Sequence, residues 1–385
     1  MRARPLPYGR QSIDPRDAAA VAEALSGDWL TTGPNVEEFE GAFAAVAGTR
    51  EAVAFCNGTA ALHGAMRAIA LAPGDEVVVP ALTFAASANC VVYEGATPVF
   101  ADVEPGTLLL GPSQLEARTG PRTRALLAVD YAGQTCDYGA LRSFARDAGL
   151  RLLADACHSL GATEGGRPSG SLAELSCFSF HPVKHVTTGE GGMAVTDDAA
   201  MARRMRAFRN HGLDCDARER ERRATHSYAM VELGWNYRLT DLQCALGLSQ
   251  LGRLPAFLAR RRALASRYDE ALRALPGVAP LARRPGAEHA FHLYAVLLDP
   301  DRLSADRDTV FRALRAEGIG VQVHYLPVHL HPYYRKRFGT LPGLCPVAEA
   351  AYARLLSLPL FPAMTDGDAD DVIEALDKVC ARFGR

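Results

Sequence analysis

The stretch 176-SCFSFHPVKHVTTGEGGMAVTDD-198 decides the fold. The apolar run LSCFSF (175–180) reads as a buried strand, and MAVTD (193–197) as another. Between them stands one lysine, Lys184, with His181 and His185 beside it and three glycines within 189–192. Such a lysine is a solvated turn residue, a phosphate clamp or the covalent anchor of a cofactor. The phosphate loop of ATPases places its lysine after the glycines, whereas Lys184 precedes them, so that motif does not fit. His181 and His185 stand four apart, but Pro182 argues against a helix and no acidic third ligand accompanies them. No metal is expected there.

Upstream, EAVAF (51–55), EVVVP (76–80), TPVFADV (97–103), RALLAVDY (124–131) and RLLADA (151–156) read as further strands, with helical stretches between them. Continuous apolar strands separated by helices predict an α/β fold whose mostly parallel seven-stranded sheet is covered on both faces. Asp14-Pro15 opens a helix that Gly27 closes. This large domain is expected over residues 1–250, and a smaller C-terminal α/β domain over 251–385. The smaller part carries a long helical stretch (254–275), an alternating strand FHLYAVLL (291–298), a helix around 306–317, a second strand GVQVHY (320–325) and a final helix (365–384).

Composition narrows the function. The formal net charge of −2 over 385 residues offers no global attraction to nucleic acid or an anionic membrane. With 48% hydrophobic and 22% charged residues the chain is globular. The basic runs 202-ARRMRAFR-209 and 218-RERERR-223 read as solvated faces, with a local anion-binding role left open. Nine cysteines without a CxxC pair suit reduced thiols, and a cytoplasmic location is expected. The N-terminal MRARPLPYGRQSIDPRD has no apolar stretch and so does not read as a signal peptide. The longest apolar run, 77-VVVPALTFAASANCVVY-93, is interrupted by Pro80, Thr83, Ser87 and Asn89, so no membrane span is expected.

Ligands of doubly wound sheets gather at the carboxyl ends of the strands. There, 56-CNGTA-60 is either an N-capped helix or a phosphate site made of Gly58, Thr59 and free amides. In 155-DACH-158 a carboxylate ends a buried strand, which demands donors or a cation. Ser179 is a second phosphate donor, and Phe84 lies just past strand 76–80. Pyridoxal 5'-phosphate (PLP) needs such a set: a lysine for the Schiff base, an acid facing the pyridinium nitrogen, a phosphate cup and an aromatic cover.

At this point the chain resembles the fold-type I, PLP-dependent aminotransferases that act on nucleotide-linked keto sugars. The resemblance covers nearly the whole chain. It rests on 28-DWLTTGPNVEEFE-40, 57-NGTAAL-62, 83-TF-84, 129-VDYAG-133, 155-DACHSLG-161, 178-FSFHPVKHVTTGEGG-192, 234-GWNYRLTDLQCALGLSQL-251 and 321-VQVHYLPV-328. It implies that Lys184 bonds the cofactor and shuttles protons, that Asp155 pairs with the ring nitrogen, and that Phe84 and Cys157 lie on opposite ring faces. Gly58, Thr59 and Ser179 would hold the phosphate, joined by Asn236 from the other subunit of a homodimer with shared active sites. His158 would lie near the phenolic oxygen, and Arg238 and Tyr325 would touch substrate. The family usually has alanine where Cys157 stands, and only a packing difference is expected. Some arginines of 203–223 are candidates for the nucleotide diphosphate.

The blocks DWLTTGP, VDYAG and QVHY point to the pseudaminic-acid branch of the family. L-glutamate would then aminate a UDP-linked 4-keto-6-deoxy-N-acetylhexosamine, giving UDP-4-amino-4,6-dideoxy-N-acetyl-β-L-altrosamine. GDP- and dTDP-linked keto sugars are the nearest alternatives. The related dehydratases carry histidine in place of the lysine, and a PLP-binding regulator would be favoured by an appended DNA-binding domain, which the sequence does not show.

Overall fold

The apolar runs read as strands are strands; an extended backbone buried on both faces can satisfy its amides and carbonyls only on a neighbouring strand. The computed structural model describes residues 4–385. Seven strands form the main sheet: β1 (Glu51–Phe55), β2 (Glu76–Pro80), β3 (Thr97–Ala101), β4 (Thr123–Val129), β5 (Arg151–Asp155), β6 (Leu175–Ser179) and β7 (Gly192–Thr196). Their order is β1-β7-β6-β5-β4-β2-β3. Only β7 runs against its neighbours, pairing antiparallel with both β1 and β6. Its register sets Gly192 opposite Ser179, so the loop bearing Lys184 leaves and re-enters the sheet between adjacent strands.

Helix α1 (Pro15–Ser26) begins as expected. Asp14 caps it in a reciprocal capping box with Asp17, and proline takes the first turn. Helix α2 (Gly58–Ala68) follows β1, and Asn57 caps it by accepting from Ala60 N at 2.8 Å.

A second, antiparallel sheet holds β8 (Val278–Pro280), β9 (Tyr294–Leu298) and β10 (Leu355–Leu358), in the order β8-β9-β10. Helices α3 (Leu254–Leu272) and α4 (Asp366–Phe383) pack with it. The segment 320–325 is not the expected strand. Its ladder shrinks to one bridge, in which Gln322 and Ser357 exchange backbone bonds of 3.2 and 2.7 Å. Beyond Gln322 the chain leaves the sheet and carries Tyr325 to the cavity described below. The sheet's third strand is instead Leu355–Leu358, a four-residue run buried throughout and stopped by Pro359. Too short to show a period, it left no strand signal in the sequence.

Two clusters of buried apolar side chains result. The larger surrounds the main sheet, with Phe39, Phe43 and Phe180 in mutual ring contact. The smaller is built on the second sheet and includes Leu6 from the N-terminal segment. Leu6 is held there by backbone bonds of 2.9 Å to Gly318 and 2.7 Å from Gly320. Among the described residues no helix is long and apolar enough to cross a membrane.

Candidate active site

A cavity of about 480 Å³ opens at the carboxyl ends of β1, β2, β5 and β6. The strand ends set its floor, while Tyr8, His292, His324 and Tyr325 close it from segments outside the main sheet. At the end of β1, Asn57 satisfies Ala60 N, and the amides of Gly58 and Thr59 are left as the first of α2 without a partner inside the helix. Ser179 comes so close that a Cβ on Gly58 would stand 2.9 Å from its own Cβ, so only glycine fits. Ser179 Oγ accepts from His181 N at 3.3 Å. Two amides and two hydroxyls thus face one end of the cavity, a site suited to a phosphate dianion.

Asp155, 6% exposed, ends β5. Ser87 Oγ donates to Oδ2 at 2.6 Å and the Cys157 amide to Oδ1 at 3.2 Å, while Thr83 Oγ1 and Ser87 Oγ share a 2.7 Å bond. No cation lies within ion-pair distance of this carboxylate among the described residues. A buried carboxylate so placed is stabilised by a cationic ligand.

Lys184 sits in a turn closed by its amide to the His181 carbonyl at 2.9 Å. Burial pulls its ammonium below the ordinary lysine range, and the nearby Cys157 and Asp155 oppose the shift. Burial, reinforced by Lys184, also keeps His158 uncharged. His158 Nε2 lies 3.2 Å from the Tyr325 hydroxyl. The Cys157 thiol is pushed up by burial and is un-ionised. Phe84 remains 58% exposed, with its ring 5.8 Å from that of Tyr325, and offers an open aromatic face.

Gly58, Thr59, Phe84, Asp155, Cys157, His158, Ser179, Lys184 and Tyr325 therefore share one cavity. Asn236 and Arg238 do not reach it. Arg238 Nη1 donates to Asn210 Oδ1 at 2.7 Å in a separate cleft of about 340 Å³, and Asn236 is bridged to the Asn210 backbone. Several arginines of 203–223 are already engaged: Arg209 with Glu40 at 2.5 Å, Arg206 with Glu51 at 3.0 Å, and Arg218 and Arg222 with Glu37 at 3.2 and 3.1 Å. No group of three or more metal-binding side chains is assembled among the described residues.

Residues 11–377 match the DegT/DnrJ/EryC1/StrS aminotransferase family. The chain belongs to this family. It is 42% identical over 374 residues to the spore coat polysaccharide biosynthesis protein SpsC of Bacillus subtilis, covering 96% of each chain. Helicobacter pylori PseC, an aminotransferase involved in the biosynthesis of pseudoaminic acid, superposes with a TM-score of 0.92 at 30% identity, over 99% of this chain and 100% of that one. The PLP form of Spr1654 from Streptococcus pneumoniae gives 0.91 at 30%, over 98% and 99%. The chain is accordingly a fold-type I sugar aminotransferase that depends on PLP.

The cavity of this DegT-family chain fits that cofactor on its own chemistry. The amides at Gly58 suit its phosphate, the uncompensated Asp155 suits a protonated ring nitrogen, and the amine of lowered basicity suits its aldehyde. The sequence reading missed Tyr8, Ser87, His292 and His324. Ser87 was the most accessible of these, since 83-TFAAS-87 sets two hydroxyls four apart at the start of a helix (Ala86–Tyr93). Tyr8 lies in a segment without a period, and the two histidines lie in alternating segments that read as strands rather than as parts of a site.

The VDYAG block also has a structural role. Asp130 is buried and accepts from Ser159 Oγ at 2.6 Å, Tyr138 Oη at 2.9 Å and the Cys136 amide at 3.0 Å. Burial raises its pKa to about 7 against these bonds. Gly133 has φ of +112°, and a Cβ there would stand 2.7 Å from His292 N and 3.1 Å from the His158 carbonyl. Gly133→Ala is therefore expected to destabilise the protein by about 2–4 kcal/mol, through backbone strain and collision. A clear drop in the urea midpoint checks this; an unchanged midpoint contradicts it.

Proposed function

We propose that the chain transfers the amino group of L-glutamate to the keto carbon of a UDP-linked 4-keto-6-deoxy-N-acetylhexosamine. The product would be UDP-4-amino-4,6-dideoxy-N-acetyl-β-L-altrosamine, for pseudaminic acid biosynthesis. The observation that carries the transamination is the meeting of Lys184 with an uncompensated Asp155 and the Gly58 amides in one cavity. The sugar is supported by the DWLTTGP, VDYAG and QVHY blocks and by the likeness to PseC.

In this reading Gly58, Thr59 and Ser179 bind the phosphate, Phe84 and Cys157 flank the ring, and Asp155 keeps its nitrogen protonated. Bound PLP supplies an electron sink for the substrate carbon that loses its proton. Lys184 takes that proton and returns it, a task suited to an amine of lowered pKa. His158 and Tyr325 line the side of the phenolic oxygen and the substrate. Asn236 and Arg238 serve the cavity of the other subunit of a homodimer. That placement is supported by the exposed apolar residues Met230, Val231, Leu233 and Trp235 just before them. Nine unpaired cysteines support a cytoplasmic location, and the two apolar clusters support a division near residue 250.

The test offers UDP-, GDP- and dTDP-linked 4-keto sugars with glutamate and identifies the amino sugars formed. A kcat/KM at least about tenfold higher for the UDP sugar is expected. Turnover confined to a GDP- or dTDP-sugar refutes the assignment.

A further inference from the structure

Behind His158 stands a rigid support that transamination as described does not use. The loop 289–293 leads into β9 and lies between the VDYAG turn and α3. It is tied to that turn on both sides: Ala290 N donates to the Gly133 carbonyl at 2.7 Å and Leu293 N to the Ala132 carbonyl at 3.0 Å. Arg261, 1% exposed and with no carboxylate partner among the described residues, reaches the carbonyls of Phe291, His292 and Leu360 at 3.0, 3.2 and 2.9 Å. Phe291 itself has φ of +50°, a conformation its surroundings must impose. A buried guanidinium without a counter-ion and a strained phenylalanine both oppose folding. Such costs persist where a shape is needed for more than packing.

Of this loop only His292 lines the cavity. Its ring packs against that of His158 at a tilt of 39°, with centroids 4.3 Å apart, and the ring of His185 follows at 5.6 Å. Each of these three imidazoles is more than nine-tenths buried, and each has an Nδ1 without a hydrogen-bond partner. For His185 the tautomer is settled: Nε2 lies 3.0 Å from the Ala290 carbonyl, which can only accept, so Nδ1 is bare. His158 obeys the same rule. Its Nδ1 is buried and unpartnered, so a hydrogen there would meet neither water nor acceptor. On Nε2 it can be given to the Tyr325 hydroxyl. An unsatisfied buried donor disfavours the first tautomer by on the order of tenfold or more.

We propose that His292 is a positioning residue for the transamination: its ring fixes the plane of His158 and keeps water from Nδ1, so that Nε2 carries the hydrogen. The Tyr325 hydroxyl then accepts from His158 and donates its own hydrogen into the cavity. The inference rests on the placement of His158 beside the cofactor's ring made under the proposed function.

The test compares the PLP-loaded full chain with His292→Ala, which admits water over Nδ1, and His292→Phe, which restores a ring without nitrogens. In His292→Ala the pH midpoint of the visible absorbance should move by about half a unit or more, since the hydrogen bond at the ring changes. Its kcat should fall about tenfold while KM for glutamate stays within about twofold. His292→Phe should recover most of both. An unmoved midpoint with unchanged kcat in His292→Ala overturns the proposal, and so does a His292→Phe as defective as His292→Ala. A lowered melting temperature with no other change counts against it equally. His158→Gln separates the two levels. If it leaves the absorbance midpoint unmoved, the placement of His158 fails and takes this inference with it. A response to His158→Gln with none to His292→Ala sinks only the role of His292.

Discussion

Lys184→Ala is expected to lower the glutamate-driven formation of the amino sugar by about 10⁴-fold or more. Two losses combine. General acid–base transfer by a positioned group is worth about 10²–10⁴-fold, and the covalent anchoring of the cofactor proposed for Lys184 would be lost as well. Two of the neighbouring imidazoles already have hydrogen-bond partners. Burial keeps His158, His185 and His292 uncharged, but His158 Nε2 is committed to Tyr325 and His185 Nε2 to the Ala290 carbonyl. The substitution is also structurally mild, since the lysine borders an open cavity rather than the apolar core. Formation of 2-oxoglutarate, followed with a coupled dehydrogenase, gives the rate. A variant that kept full turnover would remove Lys184 from the mechanism.

Asp155→Asn comes next in size, with kcat expected to fall about 10²–10⁴-fold. Asparagine keeps the shape and can still accept the 2.6 Å bond from Ser87. The charge goes, and with it one of the two acceptor oxygens, so the bond from the Cys157 amide is given up as well. Breaking a buried charged pair by neutralising one partner costs about 3–5 kcal/mol, and each factor of ten in rate corresponds to about 1.4 kcal/mol. Because the contact proposed for Asp155 is to the cofactor rather than to glutamate, KM should change far less than kcat. Steady-state kinetics with saturating PLP decides the matter: a large rise in KM at constant kcat would place the carboxylate against the substrate instead.

Much of the fold was legible because its central elements carry their own signals. The seven strands of the main sheet are runs of apolar residues buried on both faces, and their ends are off by at most two residues. The candidate site was legible for the same reason, since Asp155 and Ser179 end such strands and Gly58 and Lys184 follow within five residues. What the sequence concealed lies where period and pairing disagree. The segment 320–325 alternates like a strand but has one bridge to pair with, and Leu355–Leu358 forms the strand without alternation. Arg261 stands between Arg260 and Arg262 on a long helix, yet it is among the most buried side chains of the chain. Its partners are backbone carbonyls from two distant loops, and no local pattern announces such contacts.

The cavity's two kinds of wall have different origins. Lys184, Asp155 and the phosphate end are mounted on the strand ends of the main sheet, whereas Tyr8 and Tyr325 arrive on irregular segments braced by the second apolar cluster. Drift in those segments can reshape the space for a sugar without displacing the atoms that make and break bonds. Divergence of substrate among relatives then needs no reinvention of the chemistry. Changes in the sugar accepted are then expected first among substitutions in the segments that carry Tyr8 and Tyr325.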